Sequence, residues 1–278
     1  MRWEGGRRST NIEDRRGLGA GTIGAGGIGT LLLVLAVSCL TGTNPLALLN
    51  MVEQAAPPQT QSVPTGAPTN DPQAEFISVV LADTEETWNR VFSSAGRQYQ
   101  EPVLVLFEDS VRSACGSASS ASGPFYCPAD QKVYLDLSFF RELDQRFGAP
   151  GDFAQAYVVA HEVGHHVQNL LGINRQVQEA QQGSRAGANQ LSVALELQAD
   201  CFAGVWGHHA SRKQLLDQGD VEEGLAAAAA IGDDRLTKGR VSPDSFTHGT
   251  SAQRARWLRQ GLSSGDVKSC DTFGSSTF

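Results

Sequence analysis

Residues 158–168 read VVAHEVGHHVQ and place three histidines and one glutamate in a run that is otherwise mostly apolar. In an α-helix, residues four apart return to nearly the same face. His161 and His165 therefore point the same way, whereas His166 lies about 140° round the helix from His161. Glu162 stands beside the aligned pair. Because an unpaired polar cluster is costly to bury, the pattern indicates a helix that binds a metal ion.

The spacing of His161, Glu162 and His165 is the H-E-x-x-H arrangement, in which two imidazoles bind Zn²⁺ and the glutamate acts as general base. A catalytic zinc ion normally has a third protein ligand and one open position. Some zinc sites take a histidine six residues after the second one, but Leu171 stands there in this chain. A glutamate on a later helix is the alternative.

Glu196 is the acidic residue that best fits the third ligand. It lies in LSVALELQADCFAGVW, an apolar helical pattern, with Asp200 four residues later on the same face. Two like charges at this spacing repel each other, and burial raises the cost. A metal ion resolves the conflict if Glu196 binds it and Asp200 accepts a hydrogen bond from a ligand histidine. A salt bridge to a nearby arginine is the other explanation.

The first part of the chain has the charge pattern of a membrane anchor. Residues 1–17 hold five arginines against three carboxylates, and no lysine or arginine follows Arg16 until Arg90. Residues 18–40 carry no charge and, as a helix, would span about 34 Å, enough to cross a bilayer. The flanking arginines predict a cytoplasmic N-terminus and an extracytoplasmic remainder. A cleaved secretory signal and a lipoprotein signal ending at Cys39 are alternatives, and both also export the rest.

Composition divides the chain into four predicted parts: a cytoplasmic segment (1–17), a transmembrane helix (18–40), a proline-rich linker (41–72) and a domain (73–278). Strand patterns precede a mostly helical half, which predicts an α+β domain with a small sheet. One of these patterns, KVYLDLSFF, could serve as an edge strand that binds an extended peptide. The net charge of −8 argues against a nucleic-acid partner.

Four cysteines follow the linker, and an even number in an exported domain predicts two disulfides. Cys115 and Cys127 bracket a Gly/Ser-rich loop and are expected to pair with each other. That leaves Cys201 to pair with Cys270. A zinc cluster of the four is the alternative, but no C-x-x-C spacing supports it.

Several blocks of the chain resemble a known family. RRSTNIEDRRG, GPFYCPAD, AHEVGHHVQNLLG, ELQADCFAGVW, IGDDRL and FTHGTSAQRARW are similar to the "putative neutral zinc metallopeptidase" family of bacterial membrane-anchored proteins. The resemblance covers almost the whole chain except the linker. It implies a zincin-like fold, with His161 and His165 as ligands and Glu162 as catalytic base. The later E-x-x-x-D also resembles thermolysin-type and membrane prenyl-protein peptidases, which suggests Glu196 as third ligand.

His248 lies in FTHGTS, just before the last helical pattern. In the resembling membrane peptidases, a histidine in a similar context helps to stabilise the oxyanion. A turn residue at the start of a helix is the alternative role. Arg254 is a weaker candidate for the same pocket, and Asp233 and Asp234 are candidates for supporting it.

The predicted function is a membrane-anchored, zinc-dependent metallopeptidase that hydrolyses peptide bonds in the cell envelope. The expected partners are a peptide or protein substrate and the membrane. A catalytically inactive zincin-fold binding or structural protein and a zinc-carrying chaperone are the alternatives. The intact Glu162 favours catalysis, because a pure binding module has no use for a base at that position.

Overall fold

A computed structural model describes residues 1–17, 66, 70–183 and 187–274. The strands are β1 (Ile12–Asp14), β2 (Val103–Phe107), β3 (Ser110–Ser113), β4 (Gly116–Ser119), β5 (Phe125–Cys127) and β6 (Lys132–Asp136). The α-helices are α1 (Pro72–Ser94), α2 (Ser138–Gln145), α3 (Asp152–Leu171), α4 (Ile173–Gly183), α5 (Ala188–Arg212), α6 (Asp220–Ala230), α7 (Asp233–Leu236) and α8 (Ser251–Ser264). The predicted α+β class, mostly helical with a small sheet, is confirmed.

Helix α3 carries the H-E-x-x-H pattern through the core of the domain. It begins after Gly151 and ends before Gly172, and both glycines have positive φ angles, 117° and 80°. A Cβ atom at position 151 would lie 2.0 Å from Glu223 Oε2, so the carboxylate of Glu223 would have to move. Most of the helix is buried, largely against α5 and α6. The polar motif therefore lies inside an apolar environment.

Helix α5 carries the second predicted part of the site and packs most closely against α8. Two glycines permit this approach. A Cβ atom on Gly204 would lie 2.2 Å from Leu258 O, and one on Gly261 would lie 2.0 Å from Cys201 O. The two backbones are thus nearly in contact, which brings residues of α8 beside those of α5.

The main sheet has four strands in the order β1-β2-β6-β5. β1, β2 and β6 are parallel, and β5 is antiparallel to β6. The prediction that KVYLDLSFF supplies an edge strand is wrong, since β6 lies between β2 and β5. The strand also ends at Asp136, and α2 begins at Ser138. β5 lies at this edge instead, because the chain reverses direction after β5 and β6 then pairs between β5 and β2.

Residues 1–17, which we call the N-terminal arm, are packed onto the domain. Ile12 is fully buried and pairs with Leu104 of β2. Arg7 donates to the buried Glu85 of α1 at 2.8 Å. The domain boundaries predicted from the sequence separate this arm from the domain, whereas in the structure the arm packs onto it. The sequence does not predict this contact, because β1 and β2 lie far apart along the chain and no local pattern reveals that they pair.

The predicted transmembrane helix, residues 18–40, lies outside the described residues. Among the helices of the described ranges, none is both long and apolar enough to cross a bilayer. A single crossing by residues 18–40 would put β1 and β2 on opposite sides of a membrane, whereas the two strands share backbone hydrogen bonds. The predicted topology, with a cytoplasmic N-terminus and an exported domain, therefore conflicts with this sheet.

Both predicted disulfides are confirmed. Cys115 and Cys127 are bonded, with their Cα atoms 5.8 Å apart, and tie the turn between β3 and β4 to β5. Cys201 and Cys270 are bonded, with a Cα–Cα distance of 5.6 Å, and tie α5 to the chain that follows α8. The first bond braces the sheet edge, and the second braces the helix that carries Glu196.

Candidate metal centre

His161 and His165 on α3 meet Glu196 on α5, with one donor atom from each residue lying within 4.8 Å of the others. His161 Nε2 is 3.2 Å from Glu196 Oε2, and His165 Nε2 is 3.4 Å from Glu196 Oε1. The helices approach closely at Gly164, where a Cβ atom would lie 3.0 Å from Ala199 O. The small residue between the two histidines thus lets the second helix bring its carboxylate to them.

The other ring nitrogen of each histidine faces an oxygen. His161 Nδ1 is 2.9 Å from Asp200 Oδ1, and His165 Nδ1 is 2.9 Å from Gln168 Oε1. An oxygen acceptor at Nδ1 favours the tautomer that carries its proton there. Each Nε2 then presents a lone pair to the carboxylate of Glu196. Lone pairs and a carboxylate repel one another unless a cation lies between them, and two imidazoles with one carboxylate suit Zn²⁺.

The electrostatics of the three residues also favour a cation. Burial lowers the pKa of His161, but the carboxylates of Asp200 and Glu196 outweigh burial and raise it to about 10. For Glu196 the directions are reversed: burial raises the pKa, but His165 and His161 outweigh burial and hold that pKa well below its usual value. The centre therefore stabilises positive charge between its side chains, which either protons or a metal ion can supply.

Glu162 is buried on α3 and lines the same cleft as the three converging residues. Burial raises the pKa of its carboxyl group, although His161 and His165 oppose that shift. A carboxylate with a raised pKa in a cleft is a candidate for proton transfer. Its position and environment differ from those of Glu196, so the two acids are suited to different roles.

Asp200 is fully buried and is shared by three side chains. Besides its contact with His161, it accepts from Tyr157 Oη at 2.6 Å and from Arg254 Nε at 2.8 Å. Both explanations offered for the acidic pair thus apply: Glu196 faces the histidines, and Asp200 also pairs with an arginine. A buried carboxylate with this many partners is rigidly held.

Arg254 enters the centre from α8 as a buried cation. A signal for this burial is present in the chain, because Arg254 shares a helical face with the buried Leu258 and Gly261. The sequence indicates Arg254 only as a weak candidate for the cleft, whereas in the structure it is the buried ion-pair partner of Asp200.

Gln168 was missed by the sequence reasoning. Its amide oxygen faces His165, while its Nε2 donates to Leu195 O at 2.7 Å and to Gln198 Oε1 at 3.2 Å. It therefore orients one candidate ligand and fastens α3 to α5. The sequence does contain a signal for this role, because Gln168 lies three residues after His165, on the same face of a largely apolar helix.

His166 is buried and faces away from the other two histidines. Its Nε2 lies 2.6 Å from Gln100 O, and its Nδ1 lies 3.0 Å from Tyr126 Oη. Burial lowers the pKa of His166, which favours a neutral ring that accepts from the tyrosine. The third histidine of the motif thus connects α3 to β5 at the sheet edge.

The converging residues open into a cleft of about 1120 Å³. The cleft is lined by residues 120–126, which include the start of β5, and also by Ile231, Leu236 and His248. His248 is about half exposed, and its Nδ1 lies 3.1 Å from Asp233 Oδ1. The structure therefore brings His248 to the same cleft as the candidate metal ligands.

These features define an α+β protein whose cleft contains a His-His-Glu cluster that could hold a metal ion. The chain belongs to the family described as "Putative neutral zinc metallopeptidase", whose model matches residues 1–273.

Two curated relatives are similar to the chain over most of its length. The chain is 50% identical over 287 residues to "Uncharacterized protein YpfJ" of Escherichia coli K12, covering 99% of this chain and all of that protein. It is 44% identical over 223 residues to "Uncharacterized protein Rv2575" of Mycobacterium tuberculosis, covering 75% of this chain and 73% of the relative. No solved structure matches the chain significantly.

Proposed function

We propose that this protein is a zinc-dependent peptidase with a zincin-like fold. His161, His165 and Glu196 would hold the metal ion, and Glu162 would act as general base. The observation that carries the proposal is the direction of both histidine Nε2 atoms toward one carboxylate, at 3.2 and 3.4 Å, with Glu162 in the same cleft. Membership of the family supports it.

The side chains divide the chemical work. When bound, zinc would polarise the peptide carbonyl and lower the pKa of a water molecule toward 7. Glu162 would take a proton from the water molecule as the oxygen of that water attacks the carbonyl carbon. As the carbon–nitrogen bond breaks, the same residue would pass that proton to the leaving amine. Asp200 would keep the ring of His161 in place during these steps.

We propose that His248 donates a hydrogen bond to the carbonyl oxygen as negative charge develops there. Its half-exposed ring lines the cleft that holds Glu162. Arg254 is less suited to this role, because its guanidinium is buried and bonded to Asp200. The role of Arg254 is to neutralise that carboxylate.

We propose that an extended peptide binds along β5, which replaces β6 in this role. β5 forms an edge of the four-stranded sheet, and Phe125 and Tyr126 line the cleft. Edge strands bind extended peptides through backbone hydrogen bonds. The Cys115–Cys127 disulfide and the contact between Tyr126 and His166 hold this edge in place.

We propose that the domain acts outside the cytoplasm, because it contains two disulfides. We also propose that residues 18–40 attach the protein to the membrane, with the N-terminal arm and the domain on the same side of that membrane. In a Cys39→Ser background, Glu4→Cys and Ser263→Cys should both react with a membrane-impermeant maleimide in intact cells. Protection of Glu4→Cys alone would contradict the shared side.

The decisive experiment for the function is Glu162→Gln. The amide keeps the size of the side chain but removes its basicity, so zinc content and fold should survive. Hydrolysis of unfolded protein substrates should fall by about 10² to 10⁴, the usual contribution of a general base. Glu179→Gln, at an exposed site on α4, is the matched control and should keep full activity.

The alternatives predict a different result. A binding or structural module, or a zinc-carrying chaperone, would hold zinc and hydrolyse nothing that Glu162→Gln leaves intact. If the zinc-loaded wild type behaves in that way across folded and unfolded substrates and several pH values, the peptidase proposal is lost.

A further inference from the structure

One carboxylate holds the turn that brings His248 into the cleft. Asp233 Oδ2 accepts hydrogen bonds from the backbone N–H groups of Thr247, His248 and Gly249, at 2.8, 2.7 and 3.1 Å. The backbone N–H of Asp233 donates to Gly249 O at 2.9 Å. Three consecutive amides thus converge on a single oxygen of a side chain that is 11% exposed.

Neighbouring residues hold the same turn against α7. Asp234 Oδ1 accepts from Ser251 N and Ser251 Oγ, at 2.7 and 2.8 Å. Gly232 approaches so closely that a Cβ atom on it would lie 2.3 Å from Ser251 N. The backbone around His248 is therefore held at both ends. Its ring still needs a partner of its own, because turn bonds do not set a side-chain torsion.

The second oxygen of Asp233 supplies that partner. Oδ1 lies 3.1 Å from His248 Nδ1, while Oδ2 binds the backbone. Thr247 Oγ1 lies at the same distance from Nδ1, but a hydroxyl can donate as well as accept and does not by itself fix the proton. A carboxylate oxygen can only accept, so it favours a proton on Nδ1. Nε2 is then the ring nitrogen left for a molecule in the cleft, and it donates to the carbonyl oxygen in the doubly protonated ring.

We propose that Asp233 is a positioning residue that sets the orientation and the Nδ1 proton of His248, and that it acts on turnover only through this ring. The inference rests on the proposed function for its effect on turnover. Its effect on the ring is independent of hydrolysis. The division of labour between the two oxygens makes the two functions of Asp233, anchoring the turn and orienting the ring, separable by mutation.

Asp233→Asn separates them. If the amide oxygen takes the place of Oδ2, the three backbone hydrogen bonds remain. The amide NH₂ group then takes the place of Oδ1 and faces Nδ1, and two donors cannot bond to each other. The hydroxyl of Thr247, whose Oγ1 also lies 3.1 Å from Nδ1, can donate to that nitrogen as well. We therefore expect His248 to lose the Nδ1 proton and carry it on Nε2, or the ring to turn away. Asp233→Ala removes the turn anchor as well.

The test combines ring chemistry with kinetics on the zinc-loaded full chain. Nitrogen NMR of ¹⁵N-histidine-labelled protein should show Nδ1 of His248 protonated in the wild type and unprotonated in Asp233→Asn. Zinc content should be equal in the two. kcat should fall about 10-fold with little change in KM, because a neutral Nε2–H forms a weaker hydrogen bond to a developing oxyanion than the doubly protonated ring does. This loss is a part of the 10² to 10³ that one oxyanion donor contributes. Asp244→Asn, which removes an exposed charge before the same turn, is the control and should leave kcat unchanged.

A double-mutant cycle with His248→Ala separates positioning from general support of the fold. If Asp233 acts through the ring, Asp233→Asn should lower kcat no further in the His248→Ala background. Additive losses would overturn the proposal, and so would an unchanged Nδ1 proton in Asp233→Asn. If the wild type hydrolyses no peptide, the peptidase function falls, and the NMR comparison alone decides whether Asp233 positions His248.

Discussion

The candidate metal centre and the N-terminal arm are both packed against distant parts of the chain, but contacts of different kinds hold each of them. His161 and His165 stand one helical turn apart on α3, so local geometry alone aligns them. Ile12 of the arm pairs with Leu104, which lies far along the chain. The comparison shows that a functional centre can be legible in a sequence while a strand of the supporting sheet is not.

Glu196 lies between these two cases. It was predicted from a local conflict, two acids on one apolar helix, although its partners are on another helix. The structure places both carboxylates among cations or ring nitrogens, as such a conflict requires. A buried charge therefore reports that a partner exists, even when the sequence leaves its identity open.

The largest expected effect tests the metal centre without disturbing the arm. Glu196→Ala should lower zinc affinity by more than about 100-fold, because loss of a direct ligand exceeds the 10- to 100-fold effect of an outer partner. Metal analysis after dialysis measures it. Glu179→Ala, on the exposed face of α4, should keep full zinc content. Full occupancy in Glu196→Ala would place the third ligand elsewhere.

The second prediction tests the arm without disturbing the centre. Ile12→Ala should lower the free energy of unfolding by about 2–5 kcal/mol, since it removes a fully buried side chain. The folded variant should still bind one zinc ion, which metal analysis can check beside urea unfolding. Thr10→Ala, at an exposed position of the same arm, should be nearly neutral. Equal stability of Ile12→Ala and the wild type would show that β1 adds nothing to the domain.

A third, smaller difference concerns the two disulfides. Cys201–Cys270 closes a separation of 69 residues and Cys115–Cys127 one of 12. Loop-closure entropy predicts that replacing the first pair by alanines destabilises the protein by roughly 1–2 kcal/mol more than replacing the second. Chemical denaturation of the two double variants measures the difference. The reverse order would mean that strain or contacts outweigh chain entropy.

The smallest effect is a pH dependence of the arm. Burial raises the pKa of Asp14 and of Glu13, but hydrogen bonds from Arg16, Arg15 and Lys132 outweigh it and hold both values below normal. Carboxyl groups with lowered folded-state pKa stabilise the protein fully above their unfolded values, about pH 4, and lose this effect as the pH falls through the folded values.

Hydrogen exchange can test this dependence within one sample series. Amide protection in β1 should decline below about pH 4, earlier than protection in α3, after correction for the intrinsic pH dependence of exchange. Parallel loss of protection in both elements would mean that the arm and the metal-site helix unfold as one unit. That outcome would remove the energetic contrast between the two regions.

The sequence by itself determined the parts of this protein that depend on short-range geometry. The helical repeat aligned His161 with His165 and separated His166, and the loop composition between Cys115 and Cys127 led to both disulfide pairings, which the structure confirms. Family membership was also accessible, because long motif blocks carry it.

Only the tertiary structure decided the contacts between distant segments. It placed β1 beside β2, made β5 an edge strand of the sheet, set Gln168 beside His165, and brought Asp233 to His248. Each of these depends on which surfaces of the chain pack together, and a local pattern of polar and apolar residues allows many such packings. Helix periodicity states which residues share a face, and only the packed core selects what that face meets.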